Sequence, residues 1–288
     1  MRKRKSKSMV ASLALALCML LLMGATLAWS DFTQSKTNKF RSTTDPDVTL
    51  HDEFDGKENK DVFVENSGDS EVYVRVRLDE YMEVDGVSFA TTATAKNKAS
   101  WLPHAWPQEA SKDITDCVAI SDSPTHLFHS YYSWTVDGSS RLYHPGTPGL
   151  VYTKLGIDGT VDTSSGTTAT ALAQTPVTMR AYIEAKIKVD AGTTLTGTDA
   201  SVWQRVTAGC WILDADGWAY WSRVLKPSTA TNLLLSAVQN IAQPATSWYY
   251  GIDVKCQAVT ANDFSKWNTS PYTKTANADE LTRMWTKP

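Results

Sequence analysis

Asp61-Val-Phe-Val-Glu65, Asn66-Ser-Gly-Asp-Ser70 and Glu71-Val-Tyr-Val-Arg-Val-Arg-Leu78 make up the stretch on which the fold turns. In its last part Val72, Val74, Val76 and Leu78 alternate with Tyr73, Arg75, Arg77 and Asp79. A period of two sends successive side chains to opposite faces of a strand. The pattern predicts an aliphatic face on a core and a charged face in water, as in an antiparallel sheet. Each buried aliphatic contributes roughly 1.5–3 kcal/mol, so the four contribute at most about 6–12 kcal/mol. Asn66, Gly68 and Asp69 tolerate positive φ, so the chain is expected to reverse there as a hairpin.

C-terminal to this stretch the periodicity weakens from residue 85 to about 175. Residues 91–100 are rich in Ala, Thr and Lys, 164–170 in Ser, Gly and Thr, and Pro103, Pro107, Pro124, Pro145 and Pro148 interrupt what lies between. Trp101, Trp106, Phe128, Tyr131, Tyr132 and Trp134 cluster in the same region, which predicts surface excursions pinned by aromatics. Alternation returns at Met179, Ala181, Ile183, Ala185, Ile187 and Val189, and predicts a long strand over 178–189. Cys210-Trp-Ile-Leu213, Asp214-Ala-Asp-Gly217 and Trp218-Ala-Tyr-Trp221 read as two strands around an Asp-Gly turn. Residues 231–238 and 248–259 supply further strands, the last with Ile252, Val254, Cys256 and Ala258 on one side.

N-terminal to it, Asp47–Leu50 reads as a first short strand, preceded by a polar arm over 29–47 whose apolar side chains include Trp29, Phe32 and Phe40. Seven to nine antiparallel strands and no long amphipathic helix predict an all-β fold. Two packed sheets bury one face of each strand, so an antiparallel jelly-roll-like β-sandwich is expected over 48–267, with a loop-rich insertion at about 85–175 and a polar tail at 268–288.

The 288 residues carry a formal net charge of -3. Residues 1–28 hold five basic side chains (Arg2, Lys3, Arg4, Lys5, Lys7) and no acidic one, leaving 23 basic against 31 acidic residues, a net of -8. An acidic body without a basic cluster argues against nucleic-acid partners. Arg2–Lys7 followed by an apolar run over 9–28, with Thr26 and Ala28 at the minus-three and minus-one positions, reads as a signal peptide cut between Ala28 and Trp29. A retained membrane anchor is the alternative, because the run is about long enough to span. Export would leave Cys117, Cys210 and Cys256, either as one disulfide plus a thiol or as three buried thiols. No Leu-Pro-x-Thr-Gly motif occurs, so covalent wall attachment is not expected.

The junction Gly24-Ala-Thr-Leu-Ala-Trp-Ser-Asp-Phe-Thr33, then Asn38-Lys-Phe40, Asp47–Leu50, Lys60–Val76, Asp216–Tyr220 and Leu225-Lys-Pro227 follow one another in an order that resembles a known family. It is the family of SipW-dependent exported TasA, camelysin and BsaA-type biofilm matrix proteins of Gram-positive bacteria. The resemblance covers residues 10–82 well and 178–260 more loosely, and leaves 85–175 unmatched. It implies processing by a SipW-type signal peptidase, secretion to the extracellular matrix or cell surface, a jelly-roll fold and self-association into fibres by donor-strand exchange. Trp29, Phe32 and Phe40 would then lie on the donor strand. Other matrix proteins or polysaccharide are further partners it allows.

Camelysin-like members have been described as metalloproteases, so a secreted metal-dependent peptidase is the alternative that the resemblance brings. The residues argue against it, since no His-Glu-x-x-His is present. His126 and His129 stand three apart and suit a metal on a helical turn, but exposed loop histidines are the expected reading. Asp214-x-Asp216-Gly217 lacks the further oxygens and late Glu of a calcium loop. Adjacent Asp79 and Glu80 should point to opposite faces of a strand and so cannot act together. Trp101, Trp106 and Trp134 are candidates for stacking on sugars, which keeps a surface adhesin or carbohydrate-binding module in view, although core duty is the expected one. The expectation is therefore a non-enzymatic chain with no catalytic, cofactor-binding or metal-binding residues.

Overall fold

The computed structural model describes residues 38–39, 47–54, 58–89, 93–106, 128–136, 142–143, 169–170, 175–227, 229–244 and 246–260. In chain order its strands are β1 (Asn38–Lys39), β2 (Val48–Phe54), β3 (Asn59–Asn66), β4 (Val72–Val84), β5 (Val87–Ser88), β6 (Leu102–Pro103), β7 (Tyr132–Thr135), β8 (Leu142–Tyr143) and β9 (Ala169–Thr170). Then come β10 (Val177–Thr178), helices α1 (Met179–Asp190) and α2 (Gly197–Ala208), β11 (Trp211–Leu213), β12 (Trp218–Trp221), β13 (Thr229–Ala230), β14 (Leu235–Asn240) and β15 (Trp248–Thr260). One sheet has the order β1-β2-β3-β14-β7, with β13 also on β3. A second has the order β10-β11-β12-β4-β15, with β5 and β6 also on β4, and β8 and β9 pair with each other in a separate two-stranded ribbon. Pairing is antiparallel except between β10 and β11. The fold is thus predominantly β, a sandwich of two sheets.

The aliphatic face of β4 behaves as its alternation predicts. Val72, Val74, Val76 and Leu78 are buried in one cluster with Val62 and Val64 of β3, Leu235 and Val238 of β14, and Val254 and Cys256 of β15. The turn at 66–71 is not a hairpin, however. β3 and β4 belong to different sheets, and the chain crosses between them there. Asn66 organises the crossing: its Oδ1 accepts the Gly68 N–H at 3.0 Å, and its Nδ2 donates to the carbonyls of Ser70 (2.8 Å) and Leu225 (2.9 Å). The turn residues were legible, but the two strands do not pair with each other: β3 pairs with β2 and β14, and β4 with β12 and β15.

The opposite face of β4 is not wet. Tyr73 packs with Met179, Tyr182, Ala185, Val202 and Val206 beneath the two helices, which form a third layer. Arg75 is buried with its guanidinium carbon 4.3 Å from the Trp218 ring centroid, and its Nε donates to Gln257 Oε1 at 2.8 Å. β11 and β12 lie between the layers. Trp211, Leu213, Ala219 and Trp221 face the inter-sheet core, whereas Ile212, Trp218 and Tyr220 face the helices. Burial on both faces is why these strands read as continuous apolar runs.

The strand expected over 178–189 is helix α1, the main correction to the sequence reading. Thr178 caps it by accepting the Ala181 N–H on Oγ1 at 3.1 Å. Arg180–Glu184 and Lys186–Asp190 pair one turn apart along it. Its buried residues are Met179, Tyr182, Ala185 and Lys186, a helical spacing, whereas Ile187 is 61% exposed. The segment between 85 and 175 also does more than loop over the surface. Its β6 pairs with β4 and its β7 with β14, so it contributes to both sheets. Cys210 and Cys256 are buried free thiols in different packing clusters, and burial pushes each up to about 12. Cys117 lies outside the described residues.

The Asp-Gly hairpin forms as expected: Gly217 takes φ 87, and Asp214 and Trp218 close the turn through the Asp214 N–H and the Trp218 carbonyl at 2.9 Å. Asp216 Oδ1 accepts the Trp218 N–H at 2.9 Å. Burial first, and Asp214 second, push the Asp216 carboxyl up to about 6, against the opposing pull of the Trp218 N–H, Arg75 and Arg77. The folded state therefore holds this proton more tightly than the unfolded chain. Its contribution favours folding below pH 4 and is lost as pH rises through about 6. Asp216→Asn keeps the acceptor and removes the charge. It is expected to gain about 1–2 kcal/mol at pH 7 and little at pH 4, measured by urea denaturation at both pH values.

Candidate functional site

The inward face of β4 carries one residue that breaks its aliphatic series. Positions 72, 74, 76, 78 and 82 are Val, Val, Val, Leu and Met, whereas position 80 is Glu. Glu80 has no exposed side-chain surface. Its neighbour Asp79 points the other way, as the strand parity requires, and pairs with Arg77 (2.7 Å) and Lys255.

Three other elements close around Glu80. β6 lies against β4 with Leu102 opposite Glu80, and the His104 N–H then donates to the Leu78 carbonyl at 2.8 Å. This brings His104 Nδ1 to 2.7 Å from Glu80 Oε2. His129 sits in a short helical turn over residues 128–130, just before β7. Its Nε2 is 3.2 Å from Glu80 Oε1 and 3.4 Å from Oε2. On β15, the Tyr250 hydroxyl donates to Glu80 Oε1 at 2.6 Å and accepts Trp134 Nε1–H at 3.0 Å.

Aromatic rings wall the site. Trp134 stacks on His104 with centroids 4.3 Å apart, and Trp106 meets the same imidazole edge-on at 4.5 Å. Trp106 is anchored by its Nε1–H to the Gly217 carbonyl at 3.0 Å. His104 and His129 are fully buried, like Glu80. Burial alone would raise the Glu80 carboxyl, but His129 and His104 beside it win and hold it at about 2. Burial would lower His129, and the Glu80 carboxylate offsets this and leaves it above its usual value.

His129 Nδ1 lies 3.0 Å from the Tyr132 carbonyl, which can only accept, so Nδ1 carries the hydrogen. Nε2 therefore faces the Glu80 carboxylate either as a second N–H or as a bare lone pair. Two lone pairs at this distance repel, so the gap suits a cation, whether a proton on the ring or a metal ion. The donor atoms of Glu80, His104 and His129 all lie within 4.8 Å of one another.

The sequence expected exposed histidines, and for His129 this is corrected: it is buried at the centre of the cluster. His126 and His144 lie outside the described residues. His51 is elsewhere, on the first sheet, where it bonds Glu65 at 3.0 Å and stacks on Phe63 at 4.3 Å. Trp101, Trp106 and Trp134 are 4%, 3% and 3% exposed and present no open face to a sugar. Ala28, Trp29, Phe32 and Phe40 lie outside the described residues. Of the arm, Asn38, Lys39 and Asp47 are described, and the first two lie antiparallel on β2 opposite Leu50 and Thr49. Sequence reasoning missed Glu80 and His104 as partners of His129. A glutamate at an inward-facing strand position was the available signal.

Compared with known protein families, with curated proteins and with solved structures, the chain matches none.

Proposed function

We propose that the chain is a secreted structural protein of the extracellular biofilm matrix or cell surface, assembling by strand addition between subunits. The observation that carries this reading is the seat of the arm. Asn38 and Lys39 form a two-residue ladder on β2, at the edge of the first sheet. A sheet edge offers backbone groups to any strand that can reach it. The described part of this ladder spans two residues. The same residues can make the same ladder on the β2 of a neighbour. Such a contact is head-to-tail and does not close, so it builds filaments. The leader and the ordered resemblance of residues 10–82 to exported matrix proteins supply the cellular setting.

The peptidase reading draws on the His-His-Glu donor set, which hydrolytic zinc centres use. A peptide would have to reach three side chains that have no exposed surface, and for that reason the structural reading is preferred. The adhesin reading loses its three candidate tryptophans to the core.

Cleavage at Ala28–Trp29 frees the N-terminus of the arm and so should license assembly. Negative-stain electron microscopy of the processed chain is expected to show filaments. The uncleaved chain under the same conditions should show none, and equal filaments from both would count against the proposal.

A further inference from the structure

We infer that Glu80, His104 and His129 form a binding site for one divalent transition-metal ion of zinc type, which clamps the core of the sandwich. The inference is independent of the strand-addition reading, and two of the three donors lie in the segment that the family resemblance leaves unmatched. The donor set is one carboxylate and two imidazoles, the borderline-hard combination that suits zinc and its neighbours rather than calcium or magnesium. A tetrahedral ion with bonds of about 2.0–2.1 Å holds its donors about 3.3 Å apart. Here Glu80 Oε1 and His129 Nε2 are 3.2 Å apart, and Glu80 Oε2 and His104 Nδ1 are 2.7 Å apart. With Glu80 Oε2 as the single carboxylate donor, His129 Nε2 is 3.4 Å away and His104 Nδ1 2.7 Å away, so seating the ion requires the His104 contact to open by about 0.6 Å within a cluster whose donors all lie within 4.8 Å of one another.

The surroundings are those that orient ligands. His129 gives its Nδ1–H to the Tyr132 carbonyl, which fixes the tautomer and turns the Nε2 lone pair toward Glu80. Glu80 is itself held by the Tyr250 hydroxyl, which is in turn held by Trp134. The Trp134 and Trp106 rings restrict His104 to one orientation. The donors stand 24 and 49 residues from Glu80 along the chain, so one ion would tie together β4, the segment after β6 and the turn before β7. A ligand that binds the folded state alone stabilises it in proportion to the logarithm of its concentration over Kd. The competing account of the same geometry is a buried ion pair, with a proton on His129 in place of the metal.

The experiment uses the exported full chain, stripped with a chelator and then titrated with zinc or with cobalt(II). Elemental analysis after dialysis is expected to show one zinc per chain, and zinc should raise the melting temperature. Cobalt(II) should give the visible absorption of a four-coordinate ion. Tyr250→Phe, which frees Glu80 without removing a donor, should weaken zinc binding by roughly 10–100-fold. Glu80→Gln and His129→Ala should abolish the cobalt spectrum, whereas His51→Ala, outside the cluster, should leave it unchanged. Wild-type protein that binds no zinc and shows no thermal shift would overturn the inference in favour of the protonated pair. So would a metal that His129→Ala retains. Because the wild-type titration decides by itself, a variant that fails to fold does not rescue the inference.

Discussion

Glu80→Ala is expected to cost about 3–5 kcal/mol of folding stability, because it removes the anionic member of a fully buried cluster. Glu80 accepts the Tyr250 hydroxyl and stands between His104 and His129 with no exposed surface. Without it, the Tyr250 hydroxyl and both imidazoles lose the group they converge on, in an apolar box where water cannot replace it. His129, whose raised pKa depends on the carboxylate, would have to deprotonate or stay buried as an uncompensated charge. Glu80→Gln keeps the volume and an oxygen for Tyr250, so its loss should be smaller, about 1–3 kcal/mol. Urea denaturation of metal-stripped protein, followed by circular dichroism, measures both. A loss below about 1 kcal/mol for Glu80→Ala would mean that the cluster is incidental to the fold.

How much of this architecture can be read from the sequence varies with the range over which each element is decided. β4, β11 and β12 were legible because their burial is written in local alternation or in short apolar runs. α1 was misread because its apolar residues sit on alternate positions as well as on a helical face. Met179 and Ala185 belong to both patterns, so apolar position alone could not separate them. The helical signals were the capping Thr178 and the two ion pairs spaced four apart, Arg180–Glu184 and Lys186–Asp190. The crossing at Asn66 was misread for a different reason. A turn motif fixes a reversal, but whether its two strands pair depends on β12, β14 and β15, more than a hundred residues away. The candidate site was hardest of all. Its donors share no local motif and meet only once β6 and β7 are threaded into the two sheets.

Removal of residues 29–40 is expected to abolish filaments while sparing the fold, the largest effect that the strand-addition account predicts. Within the subunit the deletion removes β1, a two-residue ladder whose hydrogen bonds each contribute about 0.5–1.5 kcal/mol net. The monomer should therefore keep its circular dichroism spectrum and unfold within a few degrees of the parent. Between subunits the same deletion removes the donor from every junction at once, so the loss of assembly should be complete rather than graded. The deciding measurement is electron microscopy of the processed chain with and without residues 29–40, both confirmed as folded. The account predicts filaments from the first and dispersed monomers from the second. Filaments of the same form and abundance from both would contradict it.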